Sequence, residues 1–276
     1  RIELLLELIF SIRRFKELND YNICILSSNI SSINKSKLNK FVNEIVESEW
    51  KLNVNKFRIR NRKYLRSCTS VPFIKEYFPN YDVYIWIDSD AWINDPKCIE
   101  LYYQSALKGS LGVTPQLDRA YGDLATISWF MNFPIRIKSI YFKGIKRAIN
   151  IAKAKKMAMK PTLNAGVWSL HKDAPHWNVW QRLIEICIKK GRIFTADQMS
   201  MGLMIYDNNY PAELLPAYCN WLCETKPYFD EKLNCFVEPF LPHHKIGIMH
   251  LASLDIRSKD KIIDIKTTAN KIIKKS

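Results

Sequence analysis

The stretch Tyr84-Ile85-Trp86-Ile87-Asp88-Ser89-Asp90 ends an apolar run in two carboxylates that are separated by one small residue. Alternate side chains of a β-strand point to the same side, so we expect Asp88 and Asp90 to converge on one cation at the carboxyl end of a buried strand. Open α/β sheets bind ligands at that edge. Two hard oxygen donors suit Mg²⁺ or Mn²⁺, ions that often share their coordination shell with substrate phosphates. A strand that simply enters a polar turn is the alternative, because Asp and Ser are common in turns.

Helical and strand patterns alternate along the rest of the chain. Apolar runs predict strands at residues 21–26, 54–59, 81–87, 111–114, 165–170 and 246–250. Apolar positions at helical spacing predict helices at residues 2–17, 35–48, 64–77, 98–107, 177–189 and 197–206. Because strands and helices take turns and no repeat or low-complexity linker interrupts them, we expect a Rossmann-like α/β domain.

Composition fits a globular protein. The 276 residues can bury a large core, and 47% of them are hydrophobic without forming an uncharged apolar run of about 18 residues. The seven cysteines are odd in number and scattered, which indicates reduced thiols in a cytoplasmic protein. The alternative is a zinc site, for which the chain offers Cys219, Cys223, Cys235 and His243 or His244. Their spacing departs from the usual two-residue knuckle.

The net charge of +15 is concentrated in two segments. Residues 127–160 carry nine basic residues, no acid and many apolar side chains, and residues 257–276 carry seven basic residues and two acids. This mixture suits the surface of an anionic membrane, where it would hold the protein peripherally. Nucleic acid attracts the same charges, and a solvated helix face is the plainer interpretation of residues 143–160. In residues 257–276, isoleucines interleaved with lysines predict an interfacial helix or packing on the domain.

Three later segments present polar residues at the ends of predicted elements. Asn164-Ala165-Gly166 leads into an apolar strand, Thr195-Ala196-Asp197-Gln198 opens a helix, and residues 246–250 form an apolar strand that ends at His250. Taken in order with Asp88-Ser89-Asp90, these segments resemble the GT-A glycosyltransferases, most closely the family 8 type. The resemblance covers residues 64–250 and implies a GT-A mixed sheet flanked by helices.

The resemblance also implies an enzyme that moves a hexose from a UDP-sugar to a glycan, glycolipid or protein acceptor. Asp88, Asp90 and His250 would bind Mn²⁺ or Mg²⁺, and the cation would bridge the diphosphate of the donor. A divalent ion stabilises the leaving diphosphate as a Lewis acid, while the sugar passes through an oxocarbenium-like state. The alternatives are a basic protein that binds nucleic acid or anionic lipid without catalysis, and a nucleotidyltransferase of related architecture.

The same resemblance assigns further residues to the donor. Asn164, Asp197 and Gln198 would line the sugar, although residues of these types also cap helices and shape turns. Asp118 stands where the family often has another sugar-contacting carboxylate, and Arg66 is a candidate contact of the diphosphate or the sugar. Because Gln198 is a poor nucleophile, we expect retention by same-face attack; Asp197 is the candidate nucleophile if a covalent intermediate forms.

The chain departs from the family pattern at both ends. A Gly and a Lys-Pro-Trp segment commonly follow the metal-binding histidine, whereas residues 251–257 here end in Arg257, the candidate substitute for that lysine. The first strand of the fold and the loop that would hold uracil have no counterpart before the opening helix. We therefore expect residues 1–256 to form the catalytic domain without its N-terminal strand, and residues 257–276 to form a basic amphipathic tail.

Overall fold

The computed structural model describes residues 2–59, 62–121, 126–251 and 263–275. The α-helices within these ranges are α1 (Ile2–Arg13), α2 (Ser32–Leu38), α3 (Lys56–Ile59), α4 (Leu65–Ser70), α5 (Ile74–Tyr77), α6 (Lys97–Leu107), α7 (Ile140–Ala148), α8 (Ile151–Met157), α9 (His176–Lys190) and α10 (Ala196–Gly202). The β-strands are β1 (Cys24–Ser27), β2 (Glu44–Glu47), β3 (Val83–Ile87), β4 (Ala91–Ile93), β5 (Leu111–Gln116), β6 (Thr126–Phe130), β7 (Phe133–Lys138), β8 (Thr162–His171), β9 (Ala212–Leu214), β10 (Trp221–Leu222), β11 (Tyr228–Asp230), β12 (Cys235–Val237), β13 (Ile248–His250), β14 (Ile263–Lys266) and β15 (Ile272–Lys275).

A four-stranded mixed sheet with the order β3-β8-β5-β9 forms the centre of the protein. β8 runs antiparallel to β3 and β5, and β9 is parallel to β5. All residues of β8 except the last are buried, because this strand has a neighbour on each side and helices pack on both faces of the sheet. The predicted mixed α/β sheet flanked by helices is confirmed.

Alternate side chains of β8 pack on opposite faces of this sheet. Trp168 contacts Trp86 of β3 and both Trp177 and Trp180 of α9, whereas Val167 packs with residues of α1 and α6. Full burial of one large apolar side chain contributes on the order of 1.5–3 kcal/mol. The tryptophan cluster therefore fixes β3, the strand that leads directly into the two carboxylates, against the core.

A smaller sheet places β13 between β10 and β4. β13 is parallel to β10 and antiparallel to β4, with His250 opposite Ala91. Because β4 begins directly after Asp90, this sheet brings the end of β13 to the end of β3. β1 and β2 form a separate parallel pair, and α1 packs against them.

The sequence prediction is wrong at two places before α4. Residues 35–48 contain the end of α2 followed by β2, because the β-branched Ile45 and Val46 favour a strand that pairs with β1. Residues 54–59 contain the short helix α3 instead of a strand. The side chain of Asn55 accepts a backbone hydrogen bond at the start of that helix, as Asn commonly does at helix starts.

The two basic segments each contain a β-hairpin. Residues 127–160 contain most of the hairpin β6–β7, followed by α7 and α8. Residues 263–275 contain the hairpin β14–β15, so the interfacial helix predicted for this part of the tail is wrong. Its isoleucines are β-branched, and the alternation of apolar and charged residues in β14 fits a strand as well as a helix.

The tail hairpin packs on the rest of the chain. Ile265 is buried, and a β-bridge joins Thr267 to Phe229 of β11. Residues 257–262 lie outside the described residues, as does the proposed boundary at residue 256. The division into a catalytic domain and a separate tail therefore stays a prediction.

The longest helix in the described ranges, α9, has 15 residues. Within those ranges, no helix is both long and apolar enough to cross a lipid bilayer. All seven cysteines are free thiols and five of them are buried, in agreement with the prediction of reduced cysteines. The cytoplasmic location stays a prediction.

Candidate functional site

Asp88 and Asp90 lie in a tight turn between β3 and β4. The Asp88 N–H donates to the Gly166 carbonyl at 2.8 Å, which prolongs the pairing of β3 with β8. The Ala91 N–H then donates to the Asp88 carbonyl at 3.0 Å as β4 begins. The turn places both carboxylates at the carboxyl end of β3, the edge at which open α/β sheets bind ligands.

His250, the last residue of β13, reaches the same point. Its Nε2 lies 3.4 Å from Asp90 Oδ1 and 4.0 Å from Asp88 Oδ2. The possible ligand atoms of the three residues all lie within 4.8 Å of one another, and the described residues contain no second group of this kind. The alternative zinc site at the cysteines therefore finds no support in the described ranges. Two carboxylates and one imidazole are a suitable donor set for a divalent cation.

Asn220 fixes the orientation of the His250 ring. The His250 Nδ1–H donates to Asn220 Oδ1 at 3.1 Å, and both side chains are buried. With its proton on Nδ1, the ring directs the lone pair of Nε2 toward the two carboxylates. Such outer partners of a ligating histidine hold the ring in the position that a metal requires.

The charges in this cluster shift its pKa values. Burial alone would lower the pKa of His250. In the protonated imidazolium, however, Nε2–H donates to Asp90, and this bond together with the negative charges of Asp88 and Asp90 raises the pKa above its ordinary value. For Asp88, desolvation raises the pKa to about 6, against the opposing effects of His250 and of a 2.8 Å hydrogen bond from the Trp86 ring N–H. A bound cation would favour the deprotonated forms of these ligands.

Because Gly166 has no side chain, the side chains of Asp88 and His250 can occupy the space beside it. A Cβ atom at this position would lie 2.9 Å from Asp88 Oδ2 and would collide with the imidazole of His250. Asn164, two residues earlier, is buried, and its Oδ1 accepts a hydrogen bond from the Gly166 N–H at 2.9 Å. The buried phenol of Tyr121 donates a hydrogen bond at 2.6 Å to the backbone carbonyl of Asn220, whose side chain holds the His250 ring. The Asn-Ala-Gly segment therefore supports the cluster from the side of β8.

Asp197 and Gln198 reach the same cavity from the first turn of α10. Asp197 Oδ1 accepts a hydrogen bond from the Gln198 N–H at 2.7 Å, so this carboxylate is engaged by the backbone in the first turn of its own helix. Desolvation raises the pKa of Asp197 to about 7; the bond from Gln198 opposes this effect, and the charge of Asp88 adds to it. Asp197 and Asp88 are therefore electrostatically coupled, and a ligand between them would contact both sides of the site.

A cavity of about 1820 Å³ connects these groups. Six residues predicted for the site line it: Asp88, Asp90, Asn164, Asp197, Gln198 and His250. The volume exceeds the roughly 300–1,000 Å³ of most ligand pockets, because the cavity continues along β1 and β3 toward α1. Lys63 is the one lysine or arginine among the described residues that line it. A ligand with phosphate groups would therefore find positive charge at Lys63 and at a cation held by Asp88, Asp90 and His250.

The other three residues predicted for the site are not among the described residues that line the cavity. They are Arg66, Asp118 and Arg257. The guanidinium of Arg66 forms a 2.8 Å ion pair with Glu47, which holds it beside β2. Asp118 lies in the turn after β5, where it is about half exposed and 3.6 Å from Arg119 Nε. Arg257 lies outside the described residues. Contacts of these three residues with a ligand stay predictions.

Sequence reasoning missed three residues that the structure places at the site. Asn220 and Tyr121 have no local pattern that marks them, because their roles depend on contacts between segments far apart in the chain. Lys63 precedes Arg66 by about one helical turn, so a search for every basic residue in this segment would have found it.

No protein-family model and no curated protein sequence matches the chain. Among solved structures, it is similar to the galactosyltransferase LgtC in complex with donor and acceptor sugar analogs, with a TM-score of 0.53 and 14% identity over 92% of this chain and 84% of that chain. It is also similar to mouse xyloside xylosyltransferase 1, with a TM-score of 0.52 and 11% identity over 91% of this chain and 92% of that chain. The bifunctional glycosyltransferase WbbM gives a TM-score of 0.52 and 15% identity over 80% of this chain, which spans 38% of WbbM.

These three similar structures are glycosyltransferases, and at such low identities the likeness establishes the fold. The chain therefore has the mixed α/β fold of the GT-A glycosyltransferases, as the order of its motifs predicts. At the carboxyl edge of the sheet it carries an Asp-x-Asp pair and a histidine with the spacing of metal ligands. Membership of family 8 in particular stays a prediction.

Proposed function

We propose that the protein is a metal-dependent glycosyltransferase that moves a hexose from a UDP-sugar to an acceptor, with retention at the anomeric carbon. The observation that carries the proposal is the cluster of Asp88, Asp90 and His250 in the wall of a large cavity in a GT-A fold. A protein that only bound nucleic acid or lipid through its basic surface would have no need of this ligand set. The choice of UDP and of a hexose follows from the resemblance of the motifs.

The donor atoms of the cluster fit a divalent cation. The carboxylates of Asp88 and Asp90 and the Nε2 of His250 would hold it, and Asn220 would keep the imidazole in position. Mg²⁺ prefers a shell of oxygen ligands, so one imidazole among the donors favours Mn²⁺ over Mg²⁺. When bound, the ion supplies Lewis-acid stabilisation of the charge on the leaving diphosphate.

Asn164, Asp197 and Gln198 would hold the sugar of the donor. Their amide and carboxylate groups can accept or donate hydrogen bonds to hydroxyls and stabilise the positive charge that develops at the anomeric carbon. Gln198 is a poor nucleophile, and Asp197 Oδ1 is engaged by its own helix. These facts favour same-face attack by the acceptor, assisted by the departing phosphate, over a covalent intermediate on Asp197.

A screen of nucleotide sugars tests the proposal. The protein is incubated with UDP-, GDP- and ADP-hexoses in Mn²⁺, in Mg²⁺ or in EDTA, and the release of nucleoside diphosphate is measured. We expect slow hydrolysis of at least one UDP-hexose in Mn²⁺ that stops in EDTA. The matched control is the double variant Asp88→Asn/Asp90→Asn, which should release no UDP. Release that persists in this variant, or the absence of release from every donor, would contradict the proposal.

A further inference from the structure

The hairpin β6–β7 carries a patch of exposed apolar side chains. Five large residues at or near its turn are each more than half exposed: Trp129, Phe130, Met131, Phe133 and Ile135. Single exposed apolar residues are normal on a protein surface. A contiguous group of five, three of them aromatic, marks an interaction surface.

The register of the hairpin puts this patch at its far end. Phe130 pairs with Phe133 beside the turn, where Met131 has a positive φ of 51°, and Thr126 pairs with Lys138 at the base. Within the described residues, β6 and β7 pair only with each other. The tip is therefore free to contact a partner without loss of any pairing in the central sheet.

Basic residues follow the tip of the hairpin in the sequence. Five exposed basic residues lie on β7 and α7: Arg136, Lys138, Lys143, Lys146 and Arg147. Residues 127–150 contain no acidic residue. Further along, Lys153 and Lys156 both pair with Asp207, which balances part of the charge of α8. The uncompensated charge of this segment thus belongs to the base of the hairpin and to the helix that follows it.

The hairpin is attached next to the candidate site on both of its sides. Before β6, the hydroxyl of Tyr121 donates a hydrogen bond at 2.6 Å to the backbone carbonyl of Asn220, whose side chain holds the His250 ring. After β7, the buried hydroxyl of Tyr141 in α7 accepts a hydrogen bond from the Leu163 N–H at 2.9 Å. A partner that holds the tip would therefore hold the site at a set distance from itself.

We propose that the tip of β6–β7 inserts into the interfacial region of an anionic lipid bilayer. Aromatic and aliphatic side chains partition into that region, and basic residues just behind them meet the anionic headgroups. A second copy of the chain would bring a like charge to this surface, and nucleic acid would leave the apolar tip without a partner. Membrane contact implies that the acceptor belongs to the glycolipid class and is presented at the membrane. This part of the proposal rests on the proposed function.

Co-sedimentation of the full chain with vesicles tests the proposal without any sugar donor. We expect binding to phosphatidylcholine vesicles that contain phosphatidylglycerol, weak binding to phosphatidylcholine alone, and release by salt. The variant Trp129→Ser/Phe133→Ser should reduce the vesicle partition coefficient about tenfold or more, because it removes two inserting rings. The matched control is Ile33→Ser/Leu233→Ser, which changes two exposed apolar residues on other elements and should bind as the wild type does.

A spectroscopic measurement shows whether the tip enters the bilayer. Brominated lipids quench tryptophans that insert, so Trp129→Phe should keep the binding but lose most of the quenching. Equal binding by the wild type and the tip variant would overturn the proposal, as would binding of RNA without binding of vesicles. A dimer that the tip variant dissolves, without vesicle binding, would overturn it in favour of self-association.

Hydrolysis of the soluble donor separates this proposal from the proposed function. The tip variant should hydrolyse the donor at the wild-type rate, because Trp129 and Phe133 are not among the described residues that line the cavity. Vesicle binding by a protein that hydrolyses no donor would contradict the proposed function and support the membrane proposal.

Discussion

The proposed metal side and the proposed sugar side of the candidate site are built in different ways. On the metal side, Asp88, Asp90 and His250 are fixed by the backbone pairing of β3 with β8 and of β4 with β13. On the sugar side, Asp197 and Gln198 lie in the first turn of α10, where the Gln198 N–H donates a hydrogen bond to the Asp197 carboxylate. A pre-formed ligand set governs whether an ion and a diphosphate bind, whereas hydrogen-bonding groups beside the sugar govern how fast it reacts. Substitutions on the two sides should therefore change different kinetic constants.

The largest expected effect is the loss of metal-dependent UDP binding in Asp90→Asn. A neutral amide is a weaker ligand than a carboxylate, and in the proposed function Asp88, Asp90 and His250 would hold the cation that binds the diphosphate. We expect the affinity for UDP in Mn²⁺, measured by calorimetry, to fall roughly 100-fold or more. The fold should persist, because the changed side chain lies at the end of a strand beside the cavity.

The control for this variant lies just before the other end of β3. Asp82 is largely exposed and pairs with Lys172 at 2.7 Å, so Asp82→Asn should bind UDP as the wild type does. If the wild type binds UDP equally well in Mn²⁺ and in EDTA, the assignment of the metal site is wrong.

The variant Gln198→Ala tests the sugar side. We place Gln198 beside the anomeric carbon and away from the metal, so its loss should act mainly in the transition state. We expect kcat to fall about 100-fold while the affinity for UDP changes by less than about threefold. Gln104, exposed on α6 and bonded to Glu100 of the same helix, provides the control Gln104→Ala. A large loss of UDP affinity with unchanged turnover would contradict this assignment.

The metal side also shows what a sequence can predict. Asp88 and Asp90 follow an apolar run, so the sequence places both carboxylates at the carboxyl end of a buried strand. The strand ends at Ile87, however, and the tight turn that follows it, not strand alternation, determines where the two side chains point. The same local logic predicts β8 around Asn164 and the helix start at Asp197. Each of these residues stands next to an element that its neighbours in the chain define.

Long-range pairing explains most of what the sequence does not predict. Asn220 contacts His250 because β10 and β13 pair, and no sequence pattern near either residue predicts that contact. Residues 44–47 become a strand because β1 offers them an edge to pair with. The tail forms a hairpin because the interleaved isoleucines fit a strand as well as an amphipathic helix.

A moderate effect is expected at Asn220, a positioning residue on the metal side. Asn220→Ala removes the acceptor of the His250 Nδ1–H, so we expect Mn²⁺ affinity to fall about 10- to 100-fold. Turnover at saturating Mn²⁺ should stay near the wild-type rate, which a general loss of structure would not allow. Asn220→Asp keeps an oxygen acceptor and should restore most of the affinity. If both variants lose Mn²⁺ affinity equally, the orienting role is wrong.

The smallest expected effect is a change in the pH dependence of stability. The raised pKa of His250 contributes stability that is present below its ordinary value of 6.5 and is lost as pH rises through the shifted value. Asp88 and Asp197 have pKa values raised to about 6 and about 7, so both carboxyl groups bind protons more strongly in the folded than in the unfolded protein. Their contribution to the stability of the folded protein is therefore also lost as pH rises from the ordinary pKa of 3.8 through these values. In EDTA, we therefore expect these three groups to lower the melting temperature as pH rises from about 5 to about 8.

Mn²⁺ should reverse this trend, because it binds the deprotonated forms of His250 and Asp88 and stabilises the folded protein to which it binds. The quantity to measure is the difference in melting temperature between Mn²⁺ and EDTA at each pH, since groups elsewhere in the chain contribute equally to both conditions. We expect this difference to be clearly positive at about pH 8 and close to zero at about pH 5, where His250 and Asp88 are protonated. Asp90→Asn should show almost no difference at either pH, while Gln198→Ala should behave as the wild type does. A larger difference at the lower pH would contradict the ligand set, and loss of the difference in Gln198→Ala would show that the two sides of the site are not separate.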